Sequence, residues 1–416
     1  MVNFKTYEFN KLYEMSSGIS TTPEQAGHGA PFVSFSTIFN NYFLPEELPD
    51  LMAVSKKDEE TYSVRKGDIF LTRTSETLDE LAMSSVAIKD YPRATYSGFA
   101  KRLRPLQDDI TYDKFMGFYL RSPYFRKSIN YKTTMTLRAS FNEDTFSFLD
   151  LYLPDYLTQV KIGDLLYKLE EKRQLNEKIN RDLESLIKII YNYWFIQFEF
   201  PDENGNPYKS SGGKMEWNEE LKKEIPVGWG NGCLGDLVEN VSNSTSSGDH
   251  LKGMRYTPIE ELPKRKMTFR GGLDYSEANS SLILYKKYDI LLGAMRVYFH
   301  RVCIAPFNGI TRTTTMVLRA KNLKQLPFIY ETIFDDATIQ FATTHSVGTQ
   351  QPYVEWAGTL ENCKIVIPQA DIIDKFCEKV NSMIEVVIKR ELENNELISL
   401  RDWLLPMLMN GQVTFR

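Results

Sequence analysis

The chain has 416 residues, about two to three times the usual size of one domain, so two or more domains are expected rather than a single core. Apolar residues make up 42% and charged residues 25%, and no run of 18 or more uncharged apolar residues occurs, which excludes a membrane-spanning chain; Lys5, Glu8 and Lys11 break any signal-peptide pattern, so a cytoplasmic location is expected. The net charge of −5 excludes a uniformly basic nucleic-acid binder, yet Lys and Arg outnumber Asp and Glu by 11 to 4 in residues 89–138 and by 14 to 5 in residues 252–324.

In chain order, residues 68–72 and 86–89 read as strands and 115–121 as a helix, giving a mixed α/β first domain over residues 1–150. Residues 151–200 follow as a helix. From Ile162 onward, Leu165, Leu169, Ile179, Leu183, Leu186, Ile190 and Tyr193 recur at steps of three and four, the pattern of a coiled-coil seam. A helix unbroken from Tyr156 to Phe198 would be on the order of 60 Å long at 1.5 Å per residue. Residues 201–217 read as a linker: a turn-rich stretch from Pro201 to Pro207, then flexible Ser210-Ser211-Gly212-Gly213. A second mixed domain is expected over residues 218–364, with a strand at 289–292 and a helix at 328–334. Residues 365–416 read as a second long helix, with Val380, Met383, Leu397, Leu400 and Leu404 on its seam. Pro406 and then Asn410-Gly411 mark its end.

The chain is written twice. Residues 151–190 match residues 365–404 at a constant offset of 214, with Asn180, Leu183 and Leu186 falling on Asn394, Leu397 and Leu400. Looser echoes precede each block: Lys66-Gly67-Asp68-Ile69 resembles Lys287-Tyr288-Asp289-Ile290, and Leu103-Arg104 resembles Leu318-Arg319. The fold expected is α+β, two globular domains separated by two long helices that form an antiparallel coiled coil with pseudo-two-fold internal repetition. The alternative is two unrelated amphipathic helices, each packed on its own domain.

Catalytic motifs are missing from the sequence: it contains no glycine-rich adenosylmethionine loop, no Asn/Asp-Pro-Pro-aromatic motif and no P-loop. Pro201-Asp202 with Glu220-Leu221-Lys222 spells a nuclease-like PD…ExK, but its residues fall in the linker region rather than on a rigid sheet. Cys233, Cys303, Cys363 and Cys377 are widely spaced and read as reduced thiols, and His28, His250, His300 and His345 show no pairing for acid–base work, so neither a catalytic nor a metal site is expected. The basic islands mix cations with aromatics and small polar residues, an inventory able to read base edges and phosphates. Candidate DNA contacts are Thr72, Arg73, Lys101, Arg102 and Arg138 in the first domain. In the second they are Arg296, Tyr298, Arg301, Arg312, Thr349, Gln350, Gln351 and Tyr353. Arg73 and Arg296 are expected at comparable places just past a repeated strand, and the two amides can bond adenine bidentately.

Three strings then stand out: Asn192-Tyr193-Trp194-Phe195-Ile196-Gln197-Phe198-Glu199-Phe200-Pro201, Ile225-Pro226-Val227-Gly228-Trp229, and Leu400-Arg401-Asp402-Trp403-Leu404-Leu405-Pro406. Together with the order variable domain, helix, variable domain, helix, they resemble the specificity subunits of type I restriction-modification enzymes. The N-terminus lacks the Pro-x-Gly-Trp entry that stands at Pro226. The resemblance implies a non-catalytic subunit that reads both halves of a bipartite double-stranded DNA target. Two modification subunits, carrying adenosylmethionine and the adenine-methylating site, would pack on the repeated helices, with Leu165, Leu169, Leu183, Leu186, Ile190, Val380, Met383, Leu397, Leu400 and Leu404 as partner-binding positions. Restriction subunits with ATP and Mg²⁺ would join that core. Two other readings stay open at this point: a stand-alone restriction nuclease and a coiled-coil scaffold that binds only protein.

Overall fold

The computed structural model describes residues 4–75, 77, 80–132, 139–279 and 281–413. The chain divides into two compact units, residues 1–172 with 398–416, and residues 173–397. Each contains a four-stranded antiparallel sheet of the same order. In unit 1 the strands are β1 (Tyr13–Ser17), β2 (Ile69–Thr72), β3 (Ser84–Val86) and β4 (Ala100–Pro105), arranged β1-β4-β2-β3. In unit 2 they are β5 (Val238–Asn240), β6 (Ile290–Gly293), β7 (Val302–Ile304) and β8 (Thr315–Ala320), arranged β5-β8-β6-β7. The central strands β2 and β6 are buried along their whole length, which is why each reads as a continuous apolar run instead of an alternating one.

The turn entering each central strand repeats to the level of single bonds. In unit 1 the Arg104 guanidinium forks onto Asp68 with two bonds of 2.7 Å, while the Arg65 N–H donates to the same carboxylate at 2.8 Å. In unit 2 Arg319 forks onto Asp289 at 2.8 and 2.7 Å, and the Lys286 N–H donates to it at 2.7 Å. Both carboxylates are buried, so the paired guanidinium and the backbone donors offset the loss of water. The left-handed residue of the turn is Gly67 in unit 1, with φ 86°, but Tyr288 in unit 2, with φ 74°. Unit 2 therefore holds a tyrosine in a conformation that normally favours glycine.

Helix α1 spans Tyr156–Tyr191 and passes into a π-helical turn, Asn192–Ile196, so the α-helix ends about two turns before the expected Phe198. Helix α2 spans Ala370–Met409. Pro406 lies inside its last turn rather than at its end, and Gly411, at φ 72°, supplies the left-handed cap. Gly163 on α1 is needed for close packing in unit 1, because a Cβ there would lie 2.7 Å from the Phe115 backbone nitrogen.

Within unit 2 the two helices run antiparallel across a buried polar layer. Asn176 donates to the Asn394 side chain at 3.1 Å and accepts from Arg390 at 2.7 Å, while Asn180, four residues on, donates to the Val387 carbonyl at 3.3 Å. Arg270 joins Glu177 to Glu391 at 3.1 and 3.0 Å. In an apolar seam such groups fix register, since any slip leaves them buried without partners. Within unit 1, Arg401 and Glu170 make the corresponding antiparallel contact at 3.3 Å.

The seam is narrower than the apolar pattern suggests. Ile162, Leu166, Ile187 and Tyr191 on α1, and Phe376, Val380, Ile384 and Val387 on α2, are buried. Leu165, Leu169, Leu183, Ile190, Met383, Leu397 and Leu404 are half-buried, and Leu186 and Leu400 face outward. Nor are residues 201–217 an open tether. Phe200 stacks on Tyr208 and Trp229, the Ser210 N–H donates to Glu199, and Met215–Asn218 pairs with Lys223–Pro226 as a hairpin.

Candidate nucleic-acid interface

The ends of β2 and β6 open into loops held by equivalent backbone bonds. In unit 1 the Arg73 N–H donates to the Phe99 carbonyl and the Arg73 carbonyl accepts from Phe141; in unit 2 the Ala294 N–H donates to Thr314 and the Ala294 carbonyl accepts from Val354. Arg73 therefore corresponds to Ala294. Arg296 lies two residues further on, at the place of Ser75, so the two arginines are not equivalent as the sequence had suggested. Arg73 is exposed beside Phe99, an exposed aromatic that composition did not single out. Its signal was the Ser97-Gly98 turn that lifts it from the sheet.

Several candidates turn out to be committed elsewhere. Thr72 is buried, accepting from the Met83 N–H at 2.9 Å. The Lys101 ammonium donates to Ser17 at 2.8 Å, and burial pushes its pKa down. Arg102 donates to the Ser63 carbonyl at 2.8 Å and lies over the Tyr96 ring. Both face inward because β4 is covered on both sides, leaving no solvent face for its cations. Arg301 directs one guanidinium nitrogen at the carbonyls of Ile259, Glu260 and Leu262, which ties the residue entering β7 to the turn at 259–262. These are structural roles. Arg138 lies outside the described residues.

The exposed candidates gather on two loops of unit 2. Tyr298 projects from the turn Val297–Phe299, and beside it Lys264, missed in the sequence, lies 4.0 Å from the Phe299 ring centre. Residues 347–353 form a closed hairpin in which Val347 and Tyr353 exchange backbone bonds of 2.8 and 2.9 Å. Its tip carries Thr349, Gln350 and Gln351, all exposed, with Tyr353 at its base. The Arg296 N–H donates to the Pro352 carbonyl at 2.7 Å, so the two loops are joined. Arg312, at the end of Gly309–Arg312, is exposed but on a different sheet.

The residues of the nuclease-like pattern have other employment. Asp202 accepts from the Asn204 and Asn206 N–H groups of its own turn, and Glu220 pairs with Lys364 at 2.8 Å. The His300 ring packs under Phe334 with Nε2 at 2.9 Å from its carbonyl. Among the described residues no helix is long and apolar enough to cross a membrane.

A sequence model described as the type I restriction modification DNA specificity domain matches residues 2–185. The chain is also 24% identical over 397 residues to the type I restriction enzyme MjaIX specificity subunit of Methanocaldococcus jannaschii, covering 88% of this chain and 87% of that one. The chain is therefore similar to type I DNA specificity subunits, through a domain model over its first part and through a relative that spans most of its length. The HindI specificity subunit of Haemophilus influenzae is 21% identical over 458 residues, covering 92% of this chain and 94% of its own. The fold is shared with the type I restriction-modification S subunit of M. genitalium, which superposes with a TM-score of 0.59 at 13% identity over 98% of this chain and 96% of that one.

The two helices also carry matching outward stripes. Leu186 and Ile189 on α1 are 41% and 60% exposed, and the residues 214 positions later, Leu400 and Trp403 on α2, are 43% and 60% exposed. Apolar residues this exposed, at the same place in both repeats, are not needed by the seam beneath them.

Proposed function

We propose that this chain is the non-catalytic, cytoplasmic specificity subunit of a type I restriction-modification enzyme, and that each unit reads one half of a bipartite double-stranded DNA target. The observation that carries the reading is the repetition itself: two equivalent sheets, each opening at the end of its central strand into loops with exposed polar and aromatic side chains. Arg73 with Phe99 in unit 1, and the joined Arg296 and 347–353 loops in unit 2, are the contact regions. Loops on a rigid sheet can vary in what they read while the scaffold stays constant.

Two modification subunits dock on the matching stripes, one at Leu186 and Ile189 and one at Leu400 and Trp403. Repetition favours two copies of one partner, because equivalent surfaces suit equivalent ligands. Adenosylmethionine belongs to those subunits, and ATP and Mg²⁺ to the restriction subunits that complete the enzyme. The methylated adenine must leave the stack to be reached, so the task of this chain is positioning.

The test is co-expression with a type I modification (methyltransferase) subunit that assembles with this chain. Leu186→Glu and Leu400→Glu should each remove one modification subunit from the purified complex, the double variant both, with the fold of the isolated chain unchanged. Co-purification at native stoichiometry would reject the stripes as docking sites. Cleavage of DNA by the isolated chain with Mg²⁺, lost in Glu220→Ala, would instead favour the nuclease reading.

A further inference from the structure

The loops of unit 2 contain a local conformation that neither packing nor the repeat accounts for. Arg296 and His300 both have left-handed backbones, φ 49° and 54°, on either side of the turn Val297–Phe299. Residues with a Cβ adopt this region at a cost, and two within one turn persist only where surrounding bonds hold them. Here they are held. The Phe299 and His300 N–H groups close the turn on Arg296 and Val297 at 2.9 Å each, and Met295 bridges to Tyr353.

What the conformation accomplishes is the placement of Arg296. Its N–H meets the Pro352 carbonyl at 2.7 Å, and its guanidinium donates to the Gln350 carbonyl at 3.3 Å. The arginine thus holds the 347–353 hairpin at two points, Gln350 through its side chain and Pro352 through its backbone. The Gln350 and Gln351 side-chain amides, by contrast, make no hydrogen bond among the described residues and are exposed. A tip pinned through its backbone, with its amides free, is organised to bond something outside the chain.

We propose that Gln350 and Gln351 are the specificity-determining residues of unit 2, one of them reading an adenine of its half-site, and that Arg296 is a positioning residue that fixes the hairpin instead of contacting a base. A carboxamide presents a donor and an acceptor side by side, matching N6 and N7 of adenine in the major groove, whereas the guanidinium that would suit guanine is already turned to Gln350. This rests on the DNA-reading function proposed above and refines it.

The experiment uses the full chain in complex with its modification subunits, with the methylated sites mapped genome-wide. Gln350→Ala or Gln351→Ala should lower discrimination at one adenine of the unit 2 half-site by roughly 5- to 150-fold, and leave the unit 1 half-site unchanged. The corresponding Gln→Glu variant should shift preference at that position toward cytosine, whose N4 amino group donates to a carboxylate. Loss of a merely structural side chain would produce no such exchange of bases. Arg296→Gly, which keeps the left-handed backbone accessible, should relax the same position while the salt dependence of binding stays as in the native complex. If both glutamine variants keep the native half-site, or if Arg296→Gly lowers the salt slope by about one with specificity intact, the proposal is overturned and Arg296 is a phosphate contact. If the native complex shows no sequence preference at all, the DNA-reading function itself fails.

Discussion

In unit 2, α1 ends on an aromatic cluster: Tyr191, Trp194 and Phe195 pack with Phe328, Phe376 and Trp229, with Phe195 within 5.0 Å of Phe328 and 5.1 Å of Phe376 between ring centres. In unit 1, the equivalent end of α2 places Leu405, Leu408 and Met409 at those positions, and Arg401 where α1 has the buried Ile187. Arg401 pairs with Glu170 and lies over the Tyr42 ring at 4.5 Å, while Arg121 lies over the same ring at 4.8 Å. Arg121 is itself fixed by the carbonyls of Ser84, Ile38, Phe39 and Asn41, and burial pushes its pKa down to about 10. The repeat keeps the backbone placement and changes the chemistry of attachment. Apolar packing is non-directional and insensitive to salt, whereas a ring between guanidiniums, beside an ion pair, depends on geometry and charge.

The largest effect should come from removing the centre of the aromatic junction. Phe195→Ala deletes a buried ring with five aromatic neighbours, Tyr191, Trp194, Trp229, Phe328 and Phe376, and should cost about 3–5 kcal/mol of stability, since the surrounding rings cannot collapse onto the gap. Chemical denaturation measures it, and hydrogen exchange should place the loss in unit 2. A cost below about 1 kcal/mol would mean the cluster is not what holds the helix there.

The unit 2 junction also carries a pH dependence. Burial pushes the Glu331 carboxyl up to about 8, with Lys188 opposing, and burial likewise pushes Glu184 up to about 7 against the backbone bond from Met267. In the unfolded chain both titrate near 4.5. Between those values the folded state holds protons that the unfolded state has released. The contribution of these two groups to stability is therefore greatest below about 4.5, declines as pH rises, and levels off above about 8, by on the order of 1.4 kcal/mol for each unit of pKa difference. Glu331→Gln should flatten the decline between pH 5 and 8 and raise stability at pH 8. An unchanged pH slope in this variant would remove Glu331 from the account.

How much of this was legible beforehand follows from the kind of signal each feature leaves. The repeat, the long helices and the central strands were readable because periodicity and buried runs are local properties of sequence. The seam was read too broadly, because α1 and α2 carry a second, outward apolar stripe through Leu186 and Leu400, and periodicity does not distinguish a stripe that packs from one left open. Lys101 and Arg102 counted as basic-island readers since composition is blind to the face a strand presents. Arg73 and Arg296 looked equivalent because loop lengths drift; only the bonds from Phe141 and Val354 set the register. Gln350, Gln351 and Tyr353 stand out as candidates by residue type alone, but the hairpin that exposes them is joined to Arg296, whose left-handed backbone has no sequence signature.

For the polar junction of unit 1, Arg401→Ala should cost roughly 2 kcal/mol, through the weakened neutralisation of buried Glu170 and the lost contact with Tyr42. Hydrogen exchange should rise in unit 1 while unit 2 keeps its protection, the reverse of Phe195→Ala. If unit 2 loses protection instead, the two junctions are not independent.

The smallest effect isolates the ring. Tyr42→Leu keeps apolar bulk but removes the π face between Arg121 and Arg401, and should cost about 1–2 kcal/mol. Tyr42→Phe retains that face and should lie within about 0.5 kcal/mol of the native chain. The difference between the two substitutions should shrink as salt is raised, because the Arg401 side of the sandwich is partly open to solvent. The Phe195→Ala cost should not change over the same range. Equal costs for Tyr42→Leu and Tyr42→Phe would mean that the ring acts through its hydroxyl or its volume, and the contrast between a charge-dependent junction and an apolar one would then rest on the Arg401–Glu170 pair alone.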